Sequence, residues 1–185
     1  MAWDTEETRR RLLVAATEQF AATGSAGARV ATIANAAGVN KERIYQYFGD
    51  KAGLFGAVLE AEVESLLDGI VIEGQGFDAL GDLAGKLYDR VIEHPHIARL
   101  LAWESLELDE PVSHKKRAAG CAEMVVALSR ALPTRDDEYA ANALLSIVAL
   151  TTTDVSMPHL GSLIAPGATQ QTRRATIVAQ ARSMA

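Results

Sequence analysis

Cysteine is almost missing from this sequence: Cys121 stands alone, so no intrachain disulfide can form. No His or Cys lies at a zinc-ligand spacing from it either, and Cys121 reads as a small core residue. Aromatic residues make up only 5% of the 185, and β-branched runs long enough for strands are absent. No apolar stretch reaches the roughly 20 residues that span a bilayer; the longest runs from about Tyr139 to Leu150. The first residues lack the basic-then-apolar order of a secretory signal. No nucleophile–base–orienter set, phosphate loop or metal spacing is visible, so neither an enzyme nor a cofactor or metal is expected. A hydrolase built on His94, His96 or Glu104 is the remote enzymatic alternative. These absences leave a cytoplasmic helical protein with no membrane partner as the expectation.

What is present fits that class. Hydrophobic residues make up 49%, an ordinary globular level. Alanine and leucine interspersed with Glu and Arg favour helix. The formal net charge is −6, but it is unevenly spread. Residues 1–51 carry seven Lys/Arg against six Asp/Glu, and residues 52–185 carry eleven against eighteen. An acidic body limits indiscriminate attraction to phosphate and leaves the front of the chain as the part suited to nucleic acid.

The periodicity predicts an all-α protein of about nine helices. Asp4 and Glu7 read as a capping box opening the first helix, whose apolar stripe is Leu13, Ala16, Thr17 and Phe20; Gly24 to Gly27 ends it. A second helix covers Val30 to Ala37, and Gly38 sits where a C-cap needs positive φ. Asn40 is suited to cap a third helix, Lys41 to Phe48. Asp50 can cap a long fourth helix, 51–72, that connects residues 1–50 to the rest. Further helices are expected at about 77–93, 95–108, 111–131, 136–155 and 169–183, with prolines between or at the start of segments.

Val30 to Phe48 has helix-turn-helix spacing. At about 100° per residue, Ile44 and Phe48 of the third helix share an inward face, while Glu42, Arg43 and Gln46 point away. Arg can bridge guanine O6 and N7, Gln adenine N6 and N7, and Glu can accept from cytosine N4. Tyr45 and Tyr47 flank this face, and Lys41 lies in the first turn, where hydroxyls and ammonium groups suit phosphate.

The ordered set Thr8–Phe20, Gly24, Ile33-Ala-Asn-Ala-Ala-Gly-Val39, Ile44-Tyr-Gln-Tyr-Phe48, Lys51 and Leu54-Phe55 resembles the N-terminal domain of TetR-family helix-turn-helix regulators. The resemblance implies a three-helix DNA-binding domain over 1–50 and a ligand-binding and dimerisation bundle over 51–185. It further implies that Tyr45, Tyr47 and Lys51 grip phosphate, and that Lys41, Glu42, Arg43 and Gln46 read bases or nearby backbone. Arg29 replaces the usual Thr or Ser cap of the second helix and is a candidate phosphate contact. Glu42 stands where a small residue is common; it either reads a cytosine or complements the helix dipole.

For the back of the chain, the resemblance implies a homodimer through the last two long helices, here through Asn142, Leu145, Val148, Thr152, Ile177, Val178 and Ala181. It also implies an unknown small-molecule effector. Apolar stripes with a few polar groups nominate Leu87, Tyr88, Leu100, Trp103, Glu104, Met124, Leu128 and Tyr139 as pocket liners. The expected function is a repressor on a palindromic operator, released by that effector. A constitutive DNA-binding dimer or an activator without a ligand is the alternative.

Overall fold

The structure, a computed structural model, describes residues 2–184, with side chains from residue 5 onward; the expected capping role of Asp4 lies outside the described side chains. Among the described residues there are ten α-helices and no strand. They are α1 (Ala2–Gly27), α2 (Val30–Ala37), α3 (Glu42–Phe48), α4 (Lys51–Leu67), α5 (Phe77–Glu93), α6 (Pro95–Glu107), α7 (His114–Ala131), α8 (Asp137–Ser156), α9 (Pro158–Ile164) and α10 (Gln170–Arg182). The all-α expectation holds, with one helix more than the periodicity predicts. Helix α9 is the addition, because Pro158 begins a helix at its first position instead of ending one.

Three of the boundary differences have local reasons. Helix α4 stops at Leu67 instead of 72: Gly69 takes φ +69, and Arg90 donates to the Asp68 carbonyl that the helix leaves unpaired (2.9 Å). Helix α7 begins at His114, because Ser113 sits at φ +50 and interrupts the run after Pro111. Helix α3 begins one residue late. Its cap is Lys41 in helical conformation, without a side-chain bond, and not Asn40.

The chain packs as two compact units: residues up to Ser65 together with Arg99–Lys116, and Leu66–Ala98 together with residues from Arg117 on. In the first unit, Leu12, Ala16, Phe20, Ile33, Ala34, Ile44, Leu54, Phe55, Val58, Leu59 and Leu100 form one buried cluster. The Phe20 and Phe55 rings meet edge to face at 5.0 Å, adding to area burial. In the second unit the cluster gathers Leu80, Leu83, Leu87, Tyr88, Leu128, Ile147 and Ile177, drawn chiefly from α5, α8 and α10.

No single helix among the described residues is long and apolar enough to cross a membrane; α8 and α9 meet the length and composition only together, across a 90° bend.

Candidate nucleic-acid interface

The helix-turn-helix is built from α2, α3 and the turn between them. Gly38 takes φ 63, ψ 38, and its N–H donates to the Ala34 and Asn35 carbonyls, closing α2 as a left-handed C-cap. The Val39 N–H also reaches the Ala34 carbonyl (3.0 Å). Arg11 of α1 donates to the Gly38 carbonyl (3.3 Å) from outside the motif. Asp50 caps α4 as expected, accepting from the Gly53 N–H at 2.7 Å.

On α3, Ile44 is completely buried, whereas Glu42, Arg43 and Gln46 are exposed. Arg43 donates to the Gln46 side-chain oxygen (3.3 Å), so two groups suited to base edges lie side by side on one face. Tyr45 is half exposed at 50%. Tyr47 is half-buried and packs against the front core, its ring 6.1 Å from that of Phe48. Phe48, expected to point fully inward, is also only half-buried; the Arg9 guanidinium lies over its ring at 5.7 Å. Arg29 occupies the N-cap of α2 with no side-chain capping bond and is exposed, as is Lys41.

Lys51, expected to grip phosphate, has partners within the chain. Its ammonium is half-buried and donates to the carbonyls of Ser25 (2.6 Å) and Ala28 (3.3 Å). These oxygens lie in a turn created by Gly24. At φ 71 and ψ 178, Gly24 breaks the first helix before the chain coils once more to Gly27. The break frees the N–H groups of Ser25 and Ala26, and both donate to Glu107 Oε2, at 2.7 and 3.0 Å.

Glu107, Arg9 and Arg11 carry no mark in the sequence pattern. Glu107 acts 82 residues away along the chain, where helical periodicity cannot show it. Arg10, between the two arginines, is committed to Glu7 at 2.7 Å, and that bond holds the Glu7 carboxyl below its usual range.

The expected pocket residues are divided between the two units. Leu87, Tyr88 and Leu128 belong to the core cluster of the second unit, with Met124 and Tyr139 packed against it. Leu100 belongs to the core of the first unit. Glu104 lies in that unit too, buried, and accepts from the Val112 N–H (2.8 Å). Trp103 is also there, so close to Gly24 that a Cβ on that glycine would sit 2.9 Å from its ring. In the second unit, burial raises the Tyr88 hydroxyl pKa, with the Asp154 carboxylate adding to the effect.

Among the expected dimer residues, Asn142, Leu145 and Val148 of α8 are exposed and Thr152 is half-buried. Ile177 and Ala181 of α10, also expected at the dimer interface, are fully buried in the second core, and Val178 is half-buried. Helix α10 faces inward because it lies against Gly81 and Gly85 of α5, and its Arg174 pairs with Asp89 through two 2.7 Å bonds. Cys121, expected in a core, is exposed on α7.

Residues 12–58 match the family profile of bacterial regulatory proteins of the tetR family, and residues 79–183 match that of the tetracyclin repressor-like C-terminal domain. The chain is 39% identical over 106 residues to the HTH-type transcriptional repressor SCO4008 of Streptomyces coelicolor, an alignment covering 57% of this chain and 54% of that one. It is 34% identical over 113 residues to the HTH-type transcriptional repressor NicS of Pseudomonas putida, covering 57% and 51%. The chain thus spans about half the length of these curated relatives. A crystal structure of SCO4942 from Streptomyces coelicolor, described as a transcriptional regulator, superposes with a TM-score of 0.76 at 31% identity and covers 96% of this chain and 97% of that one.

Proposed function

This chain belongs to the TetR family of bacterial regulatory proteins, and we propose that it is a transcriptional repressor that reads duplex DNA with α3, works as a homodimer and is released by a small molecule. The observation that carries the DNA-reading part is the outward face of α3: Arg43 and Gln46 adjoin one another opposite a buried Ile44. In a major groove, each well-made bidentate contact discriminates by about 1–3 kcal/mol. Arg43, Gln46 and Glu42 are the base readers in this reading, and Tyr45, Tyr47, Lys41 and Arg29 meet phosphate.

The partner in the dimer is a second copy, seated on the exposed side of α8 and on α9. Leu145 is 68% exposed, and Leu163 and Ile164 of α9 are 81% and 74% exposed. Such grouped apolar exposure on a soluble chain marks an interaction surface. In a two-fold dimer two copies of α3 reach half-sites about one DNA turn, some 34–36 Å, apart, which calls for a palindrome. The effector belongs to the second unit, around Leu87, Tyr88, Met124, Leu128 and Tyr139. Trp103 and Glu104 are left out of that site because they pack in the first unit.

Selection of duplexes from a random pool by the full chain tests the reading. The pool should converge on a palindrome. Arg43→Ala should relax preference at one base pair per half-site, and Tyr45→Ala should weaken binding. A pool that stays random, or enrichment untouched by both substitutions, would refute α3 as the reading helix.

A further inference from the structure

We propose that Lys51 and Glu107 are positioning residues of the DNA-reading unit, which grip the turn Gly24–Ala28 by its carbonyls and its N–H groups respectively, and that Lys51 makes no phosphate contact. The inference rests on the DNA-binding reading above.

The turn needs both charges. Gly24 interrupts α1, and the N–H groups of Ser25 and Ala26, at the start of the coil that follows, donate to Glu107. The coil ends within one turn, leaving the Ser25 and Ala28 carbonyls near its C-terminus. An anion suits the first end and a cation the second. Glu107 supplies the anion at 2.7 and 3.0 Å, and Lys51 supplies the cation at 2.6 and 3.3 Å. The fit is close: a Cβ at Gly24 would lie 2.2 Å from Glu107 Oε1. Ala28 is buried and Arg29 directly caps α2. A shift of this turn therefore moves the start of the helix-turn-helix. Lys51 is half-buried and commits two of its three ammonium donors to these carbonyls, whereas a phosphate ligand keeps its donors for the DNA.

Salt dependence of binding separates the two roles, because each lost phosphate contact flattens the slope of log K against log salt by about 0.9. The probes are the duplex selected from the random pool and a scrambled duplex of equal length. Lys51→Met should lower affinity for the selected duplex about tenfold, as expected for one lost charge-assisted hydrogen bond. Affinity for the scrambled duplex should fall far less, through the lost long-range attraction alone, and the salt slope should not flatten by the step of a lost phosphate contact.

Glu107→Ala should also weaken the selected duplex, although removing a negative charge would strengthen DNA binding by long-range attraction alone. The double variant should lose less than the product of the two, because both act on one turn. Lys51→Arg guards against a variant that fails to fold. A phosphate contact accepts Arg, whereas the slot between the two carbonyls does not, so positioning predicts weaker selected binding here as well. A purely structural role would lower the melting temperature and leave the preference for the selected over the scrambled duplex intact.

The proposal is overturned if Lys51→Met flattens the slope and weakens both duplexes alike, or if Glu107→Ala tightens both. If the unsubstituted chain selects no sequence at all, the DNA-binding reading fails first.

Discussion

Helix α3 and the α8–α9 corner each turn one side to a core and the other to water, yet what they show to water is opposite. Behind buried Ile44, α3 displays Glu42, Arg43 and Gln46. Behind buried Ala140, Ala143 and Ile147, α8 displays Leu145 and Val148, and α9 adds Leu160, Leu163 and Ile164. A polar outer face is stable in water alone and becomes specific only against a patterned polar partner. An apolar outer face has reason to persist only when something covers it. The proposed function gives the two faces two kinds of partner, DNA for one and a second copy of the chain for the other.

The sharpest way to break this contrast is to put charge on the apolar side. With Leu145→Glu and Leu163→Glu together, sedimentation velocity should show the full chain passing from dimer to monomer while its helical circular dichroism is kept. An unsubstituted chain that already sediments as a monomer at micromolar concentration would remove the contrast altogether. The next effect concerns the buried sides. Ile44→Ala should cost about 2–5 kcal/mol in urea unfolding, the range for deleting a buried aliphatic side chain. Arg43→Ala, one residue away on the outer face, should fall within about 0.5 kcal/mol of zero. Comparable costs for the two would mean that α3 does not divide into faces as described.

How far these faces are legible in the sequence depends on the range of the forces that make them. The inward side of α3, the left-handed Gly38 cap and the Asp50 cap depend on residues within a few positions of each other, and spacing reveals them. The same logic falters where a distant segment decides the outcome. Ile177 and Ala181 are expected at a dimer interface, but α10 is drawn onto α5 by Gly81, Gly85 and the Arg174–Asp89 pair and buries them. Trp103 is nominated as a ligand wall from its neighbours in sequence, which give no sign of its closeness to Gly24. Helix α9 was hidden by its proline, which starts a helix as readily as it stops one. The pairing of Glu107 with the Ser25 and Ala26 N–H groups has no local signature at all.

The two glycine turns on either side of α2 allow a finer test within the first unit. Gly38 is left-handed helical, which costs an L-residue roughly 1–2 kcal/mol, whereas Gly24 at φ 71 and ψ 178 takes a conformation essentially confined to glycine. At Gly38 an added Cβ meets only the tip of the Arg11 side chain, which can swing aside; at Gly24 it meets both Glu107 and the Trp103 ring. Gly24→Ala should therefore be the more destabilising of the two by about 1–3 kcal/mol, the usual cost of overpacking. Differential scanning calorimetry of the two variants checks the order, and equal melting temperatures would mean that the turn at Gly24 is loosely packed.

The smallest effect expected is electrostatic. Lys116 donates to Glu60 at 2.7 Å and to Glu64 at 3.1 Å. The Lys116 bond is the main cause holding the Glu60 carboxyl below its usual range, with Ser113 and Arg9 contributing. A carboxyl whose folded pKa is depressed stabilises the fold above its unfolded pKa, and that stability is lost as pH falls through the folded value. The unfolded value for a glutamate is about 4.3. The melting-temperature gap between the unsubstituted chain and Lys116→Met should thus stay level from about pH 8 to about pH 5.5 and close below about pH 4. The gap should be narrow throughout, because both ends of the pair are partly solvated, at 58% and 34% exposure. It should also narrow further with added salt, since screening acts on solvated pairs first. A gap that does not close on acidification would mean that Lys116 stabilises the fold by something other than the Glu60 and Glu64 carboxylates.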